Sequence, residues 1–439
     1  MSSPTRRPVA TDDERRALAE WAASGAMAIT GRYDGPPLGP PDQLVAGLQH
    51  LASVVTDRSA WLGHEVRLDP VAILGERAAT GGLGRQGTTS CGGATRLVRA
   101  VDGWLAVALP RHEDVELLPA WLGVDRSDDP WATVVAEIGR RPAREAAERA
   151  WLLGLPVSEL EDQPLAPSPA APPLAALPVR TTRIHGPVPD PRPLTAMTVI
   201  DLTALWAGPL CGHLLTLGGA RVVKVESTGR PDGSRRGPAD FFDLLNCGKS
   251  AVALDLADGH GWDVLRRLLT AADVVIEGSR PRVLEQHGIV AADLVAGGGP
   301  RVWVSITGYG RTGPERDRVA FGDDAAVAGG LVVADEAGPC FCADAVADPV
   351  AGLAAAAACL DALAVTGRWL VDVAMAGVAA SLAGPTLEGE AGGGPNGPLD
   401  VAPPRARPVA SPGPALGEHT AEVLAGLGVT SWGAQWGGS

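Results

Sequence analysis

The sequence predicts an α/β fold: a doubly wound, mostly parallel, Rossmann-like sheet with a second, smaller α+β domain. Three observations carry this. From residue 197 onward, short β-branched runs alternate with helical stretches, the pattern of successive βαβ units. Upstream, RLVRAVDGWLAVAL (96–109) alternates apolar and polar residues on both sides of Asp102-Gly103, the mark of an antiparallel hairpin. Between the two lies a Pro- and Ala-rich run, 163–195, which reads as a linker or extended wrap-around segment. With 439 residues, 46% of them hydrophobic, the chain can fill two or three cores.

In chain order, residues 11–26 and 42–55 read as helices, the second with Leu44, Leu48 and Leu51 at helical spacing. A Gly-rich stretch, 81–93, precedes the hairpin. Helices follow near 114–122 and 130–152. Beyond the linker come a strand at 197–203, a helix at 209–219 opened by Pro and closed by a Gly pair, and strands at 220–227 and 250–256. Next are a helix at 259–271, a strand at 273–279, a short helix at 281–288, a strand at 301–308 and a helix at 323–331. An Ala-rich helix runs from Asp348 to about Leu363, then a strand at 368–375 leads into a helix, and 417–428 closes as a helix. These elements divide the chain into 1–162, a small domain plus a partial repeat of the large one; the 163–195 linker; 196–384, the large domain; a Gly/Pro-rich linker at 385–414; and a closing helix and tail at 415–439. The repeat is an echo between 22–48 and 326–353. Aligning their Val-Ala-Gly-Leu segments sets Gln43 opposite Asp348.

Composition excludes several classes. A net charge of −14 argues against nucleic acid as a partner. Apolar runs are interrupted by Gly, Pro or charge, so no membrane span is expected. The first residues lack an apolar secretory region, and the expected compartment is cytoplasmic. The six cysteines are scattered and form no zinc pattern, so no metal is expected; Cys340 and Cys342 read as buried side chains on one face of a short strand. GYGRTG (308–313) matches a dinucleotide pattern but runs into Pro314 and a charged stretch instead of a helix, and reads as a loop.

The chemistry-bearing candidate is Asp348, in Ala347-Asp348-Pro349 at the start of an apolar helix. An ordinary N-cap with Pro at the first helical position is the simpler reading. The two are compatible, because the helix dipole favours an anion there. Trp206 and Ala207, at the end of the first large-domain strand, sit where open α/β sheets bind ligands. Asn246, Cys247, Gly248 and Lys249 are a second candidate group, with Lys249 either meeting a phosphate or standing as a solvated surface lysine. Arg280 and Arg282 are phosphate partners or surface arginines.

The ordered segments VIDLTALWAGPLCGHLLTLGGARVVKVES, LLNCGKSAVALDL, ADVVIEGSRPRVLEQHG, PRVWVSITGYGRTGP, ADAVADPVAGLAAA, GRWLVDVAMAGVAASLAG and PALGEHTAEVLAGLG resemble the class III CoA-transferases, the CaiB/BaiF family. The resemblance implies that CoA moves from an acyl-CoA to a free carboxylic acid, with no tightly bound cofactor. It makes Asp348 the nucleophile, passing through an aspartyl anhydride and an aspartyl-CoA thioester. With an ordinary carboxylate pKa, Asp348 would be ionised at neutral pH. CoA would lie along Trp206, Ala207, Ser227, Asn246, Cys247, Gly248, Lys249, Gly278, Ser279 and Arg280. Gly-rich loops, Gly329-Gly330 and 81–93, would shield the site. The family forms interlocked homodimers. Here Ser227, Gln286 and Gly278 replace residues the family usually places at the nucleotide, with Arg230, Arg235 or Arg280 as compensating cations. Residues 56–160 resemble the family's small domain, moved to the N-terminal side. Alternatives are an acyl-CoA racemase of the same fold, disfavoured because Phe321-Gly322-Asp323-Asp324 brings no His where such enzymes carry one; a non-catalytic CoA-binding homologue; and, more distantly, a nicotinamide oxidoreductase. Few polar residues flank Asp348 in sequence, which leans toward an apolar or bulky acyl group.

Overall fold

The computed structural model describes residues 11–161, 177–186, 190–387 and 399–427. Residues 163–176 and 187–189 of the linker, 388–398 of the 385–414 stretch and the tail from 428 lie outside the described residues.

The predicted hairpin forms first. Strands β1 (Thr95–Arg99) and β2 (Trp104–Ala108) pair antiparallel with Arg99 opposite Trp104, so Asp102-Gly103 sits in the turn. Strand β3 (Val157–Glu159) adds to β2 and completes a three-stranded sheet. Short helices cover one face and bury Trp121, Val134, Ile138 and Ala147 against it. The expected 130–152 helix is two, Pro130–Ile138 and Ala143–Leu152. Pro142 takes extended backbone as the N-cap of the second, because its ring forbids the preceding helical turn.

The second sheet has seven strands. Strand β4 (Arg180–Ile184) lies inside the stretch expected to be linker, a correction to that reading. Only Thr181 of Arg-Thr-Thr-Arg-Ile is buried, as suits an edge strand, and the strand runs antiparallel to its neighbour. Then come β5 (Thr198–Asp201), β6 (Arg221–Ser227), β7 (Ser250–Leu254), β8 (Val274–Glu277) and β9 (Val302–Thr307). A separate hairpin, β10 (Val332–Asp335) and β11 (Gly338–Phe341), precedes β12 (Arg368–Ala374). The spatial order is β4-β12-β9-β8-β5-β6-β7, and every pair except β4–β12 is parallel. The chain winds outward through β6 and β7 and then returns to the other side of β5. Strand order therefore reverses between β5 and β8, the place where open α/β sheets bind ligands, beyond the C-terminal ends of the strands.

One helix organises the core. Ala347–Ala364 is 18 residues long and almost wholly buried. It is long and apolar enough to cross a membrane by length and composition, yet it lies inside the protein. Its alanines let neighbours approach closely, and at Gly352 a Cβ would stand 2.5 Å from Ala207 O of helix Ala207–Leu217. Helix Leu44–Trp61, also 18 residues, packs along it from the N-terminal part of the chain. The two echoed Val-Ala-Gly-Leu segments thus lie on helices that pack together, with Gln43 exposed at the N-cap position of the first. Apolar side chains from Leu18 to Cys91 join those of β5, β8, β9 and β12 in a single core. The small sheet meets this body through helix Gly322–Ala328, which packs on β2 and β3.

Candidate active site

Asp348 lies in the first turn of helix Ala347–Ala364. The N-cap is Val346, which makes no side-chain cap, so the N-cap reading of Asp348 is corrected. The turn before the helix is tight: Ala343 and Ala345 take φ of 52° and 45°, a left-handed conformation unusual for alanine. The carboxylate is half-buried and accepts the Gly322 N–H. A Cβ at residue 322 would stand 2.6 Å from Asp348 Oδ2 and collide with Ala345 O, so glycine is what lets the acid seat there.

The surroundings of Asp348 are more polar than its sequence neighbours suggest. Asp344 is fully buried and accepts Arg77 Nε at 2.8 Å, with a second bond from Arg77 Nη2. Asp323 is buried beside them and accepts Thr95 Oγ1 at 2.9 Å and Ala345 N at 3.1 Å. Arg77 belongs to helix Glu76–Gly81, 267 residues from Asp344. Its guanidinium stands 5.7 Å from the centre of the Trp206 ring. On another side, a Cβ on Gly92 would be 3.1 Å from its Nη2. Burial raises the Asp348 pKa to about 7; Arg77 opposes this, and Asp323 and Asp344 add to it. Burial also raises Asp323, helped by Asp344. The expectation of an ordinary ionised carboxylate is therefore corrected: the acid is poised near neutrality. The lean toward an apolar acyl group loses its basis, because charged groups from distant segments frame the site.

The 81–93 loop does reach the site. Gly92 packs against Arg77, and the Cys91 thiol lies 3.4 Å from Ala343 O. Gly329 does not; a Cβ there would meet Ala376 O and Ala379, so it serves the contact between helices Gly322–Ala328 and Met375–Leu382.

The expected CoA residues separate into open and closed groups. Ser227, Gly248, Gly278, Ser279 and Arg280 are at least partly exposed, and all but Gly248 follow or end β6 and β8. Trp206 and Ala207 are buried where β5 gives way to its helix. Trp206 packs edge-on to Phe241 at 5.1 Å, and its indole Nε1 has no partner among the described residues. Cys247 is buried as well. The Asn246 and Lys249 side chains are turned inward, which corrects both readings of Lys249. Its ammonium donates to Asp201 Oδ2 (2.9 Å), Pro209 O (2.9 Å) and Asn246 Oδ1 (3.1 Å), and no phosphate can reach it. Asn246 Nδ2 donates to Phe242 O. Burial would raise Asp201, but Lys249 and Lys224 outweigh it and hold it low. Lys224, the only other lysine in the sequence, is equally buried and donates to Thr203 O and Asp232 Oδ2, each at 2.8 Å. Asp232 in turn accepts Leu205 N, and Leu205 holds a φ of 69°. The two lysines thus brace the strained turn that presents Trp206.

Of the compensating cations, Arg235 is engaged by Glu226 through two bonds and by Pro414 O, so it is unavailable to a ligand. Arg230 and Arg280 remain. Burial lowers the Arg280 pKa, and the positive charges of Arg282, Arg111 and Arg230 lower it further. Arg111 comes from the small domain and stands over the Phe321 ring at 5.7 Å, next to Gly322. A cleft of about 410 Å³ at the opposite, N-terminal end of the strands involves Arg192, Asp273, Arg301 and Arg368. There Arg192 pairs with Asp273, and Arg301 and Arg368 donate to backbone carbonyls.

Fold and site define a class: a doubly wound α/β protein with a poised acid beside its switch point. A family model for CoA-transferase family III matches residues 194–420, just over half of the sequence, and the chain belongs to that family. Among its relatives is the succinyl-CoA–D-citramalate CoA-transferase of Chloroflexus aurantiacus, 35% identical over 148 residues, 32% of this chain and 37% of that protein. The succinyl-CoA:glutarate CoA-transferase of Mus musculus is 32% identical over 148 residues, 32% and 34% of the two chains. A solved CaiB/BaiF family protein from Brucella suis matches with a TM-score of 0.40 and 29% identity, over 44% of this chain and 55% of that one. The chain thus spans about a third of the length of the curated relatives it matches.

Proposed function

We propose that the protein transfers CoA from an acyl-CoA to a free carboxylic acid, with Asp348 as the acyl acceptor. The observation that carries this is the seat of Asp348: a half-buried carboxylate against the Gly322 amide, where a Cβ does not fit, one helical turn before Gly352 and its contact with Ala207. In the forward half, Asp348 Oδ attacks the thioester carbon, the C–S bond breaks, and the CoA thiolate leaves. The thiolate then attacks the Asp348 Cγ, releasing the donor acid and leaving an aspartyl-CoA thioester. The acceptor carboxylate repeats the sequence and departs as the new CoA ester. Charge that develops on the anhydride oxygens meets the Gly322 N–H and the N-terminal amides of helix Ala347–Ala364.

The exposed ends of β6 and β8, with Arg230 and Arg280 near them, favour the phosphates of the nucleotide end. Names among the relatives point to succinyl-CoA as a first donor to assay. The protein works in the cytoplasm as a homodimer.

The test is trapping. Incubated with succinyl-CoA and then hydroxylamine, the protein should carry a hydroxamate at Asp348, and Asp348→Asn should lose transfer by about 10³-fold or more. Undiminished turnover in Asp348→Asn would refute the reading.

A further inference from the structure

Arg77 lies outside the segment that the family model matches, yet it reaches the centre of the site. Two of its nitrogens are fixed by Asp344, its plane lies by the Trp206 ring, and the bare face of Gly92 leaves room for it. A carboxylate with no solvent exposure needs a cation, and among the described residues Arg77 is the one paired with Asp344. Three acids, Asp323, Asp344 and Asp348, converge on this guanidinium.

Other titratable groups on elements packed around Asp348 are neutral or paired, and burial raises Asp324, on helix Gly322–Ala328, to about 8. Burial pushes the Cys91 thiol well above its ordinary value, so it stays neutral. Burial holds His213, on helix Ala207–Leu217, down to about 3, and it too is neutral. On helix Leu44–Trp61, Arg58 pairs with Asp361, thirteen residues beyond Asp348.

We propose that Arg77 is a positioning residue for the acyl-accepting acid: clamped by Asp344, it is the cation that keeps the Asp348 carboxylate available for attack. This rests on the reading of Asp348 given above. Asp344 has a double part. It aims the guanidinium, and its own charge opposes ionisation of Asp348. Removing Arg77 and removing Asp344 should therefore move the titration of Asp348 in opposite directions.

The experiment is single-turnover acylation of the full chain by succinyl-CoA, trapped with hydroxylamine and followed against pH. In the wild type the yield of Asp348 hydroxamate rises with pH as the acid ionises. In Arg77→Gln the rising limb should move up by about one pH unit, the usual scale for loss of one nearby opposite charge. Arg77→Lys should return it toward the wild type, and Asp344→Asn should move it down. A limb that stays in place in Arg77→Gln and Asp344→Asn while yield falls would overturn the proposal, since that is what a merely structural role gives. Shifts in the same direction would overturn it too. Should Arg77→Gln fail to fold, Arg77→Lys and Asp344→Asn decide the matter: a limb near the wild type in the first and a lowered limb in the second support the proposal, and an unmoved limb in Asp344→Asn overturns it. A hydroxamate at Asp348 with unmoved limbs rejects the role of Arg77 alone; no hydroxamate in the wild type rejects the reading of Asp348 as well.

Discussion

At the scale of single residues, the site depends on what Gly322 lacks. Its missing side chain is the space in which Asp348 Oδ2 rests. Gly322→Ala should displace that carboxylate and lower kcat by about 10²-fold, the cost of a misplacement near one ångström. The same change overpacks the junction and should cost about 1–3 kcal/mol of stability. Steady-state kinetics and a thermal melt on the one variant separate the two effects. Only the family resemblance singled out Asp348 as acyl acceptor, since its local pattern reads first as an N-cap, but the acid-proline-apolar start of its helix was legible in the sequence. Arg77, Asp323 and Asp344 were not, because no local pattern ties residue 77 to residue 344. The Gly-rich 81–93 run was the one available hint, through Gly92. Lys249 was misread for the same reason, since its burial is decided by Asp201, 48 residues away.

At the scale of elements, helix Gly322–Ala328 joins the small sheet to the large one. Asp324 closes its first turn by accepting Phe321 N at 2.7 Å, and it faces Ser158 of β3. Ser158 bonds Tyr309, whose ring stacks on Arg318 at 3.8 Å. The GYGRTG stretch is thus a loop, as expected, and it is part of this contact. Burial raises Asp324 to about 8, so the folded protein keeps it protonated where the unfolded chain does not. Its contribution to stability is full below the ordinary carboxylate range and fades as pH rises toward about 8. Asp324→Asn retains the cap oxygen and removes the titration. The wild type should therefore lose Tm relative to Asp324→Asn between roughly pH 4 and 8, measured by calorimetry across that range. An unchanging difference would show that Asp324 does not titrate there. Elements were the most legible scale: the strands and helices expected from 197 onward appear in order, while helices Ala239–Asn246 and Ala291–Ala296 and the β10–β11 hairpin went unread. Strand β4 escaped notice because an edge strand of Arg and Thr within a Pro-rich run carries little hydrophobic signal.

At the scale of the whole molecule, the N-terminal residues complete the large domain's core as well as preceding it. Leu44–Trp61 lies along the helix that carries Asp348, and Arg77 arrives from the same part of the chain. That arrangement was beyond the sequence, because packing partners separated by some 300 residues leave no periodic trace. The buried ion pairs belong to this scale too. Lys224→Met would strand Asp232 without its partner beneath the Trp206 turn, and should cost about 3–5 kcal/mol, readable as a lower midpoint in denaturant.

Both lysines of the chain have side chains with no solvent exposure, and each is bound to an acid. Thioesters are acylating agents, and exposed ε-amines are their usual accidental targets. Under the proposed transfer, a protein that meets acyl-CoA while hiding every ε-amine offers its own reagent little to damage. Treated with acetic anhydride in the native state, neither lysine should be labelled, and after unfolding in guanidinium both should be, as intact-mass and peptide mapping would reveal. The scarcity and concealment of lysine would then serve as chemical self-protection, with arginine meeting the charge requirements of the surface.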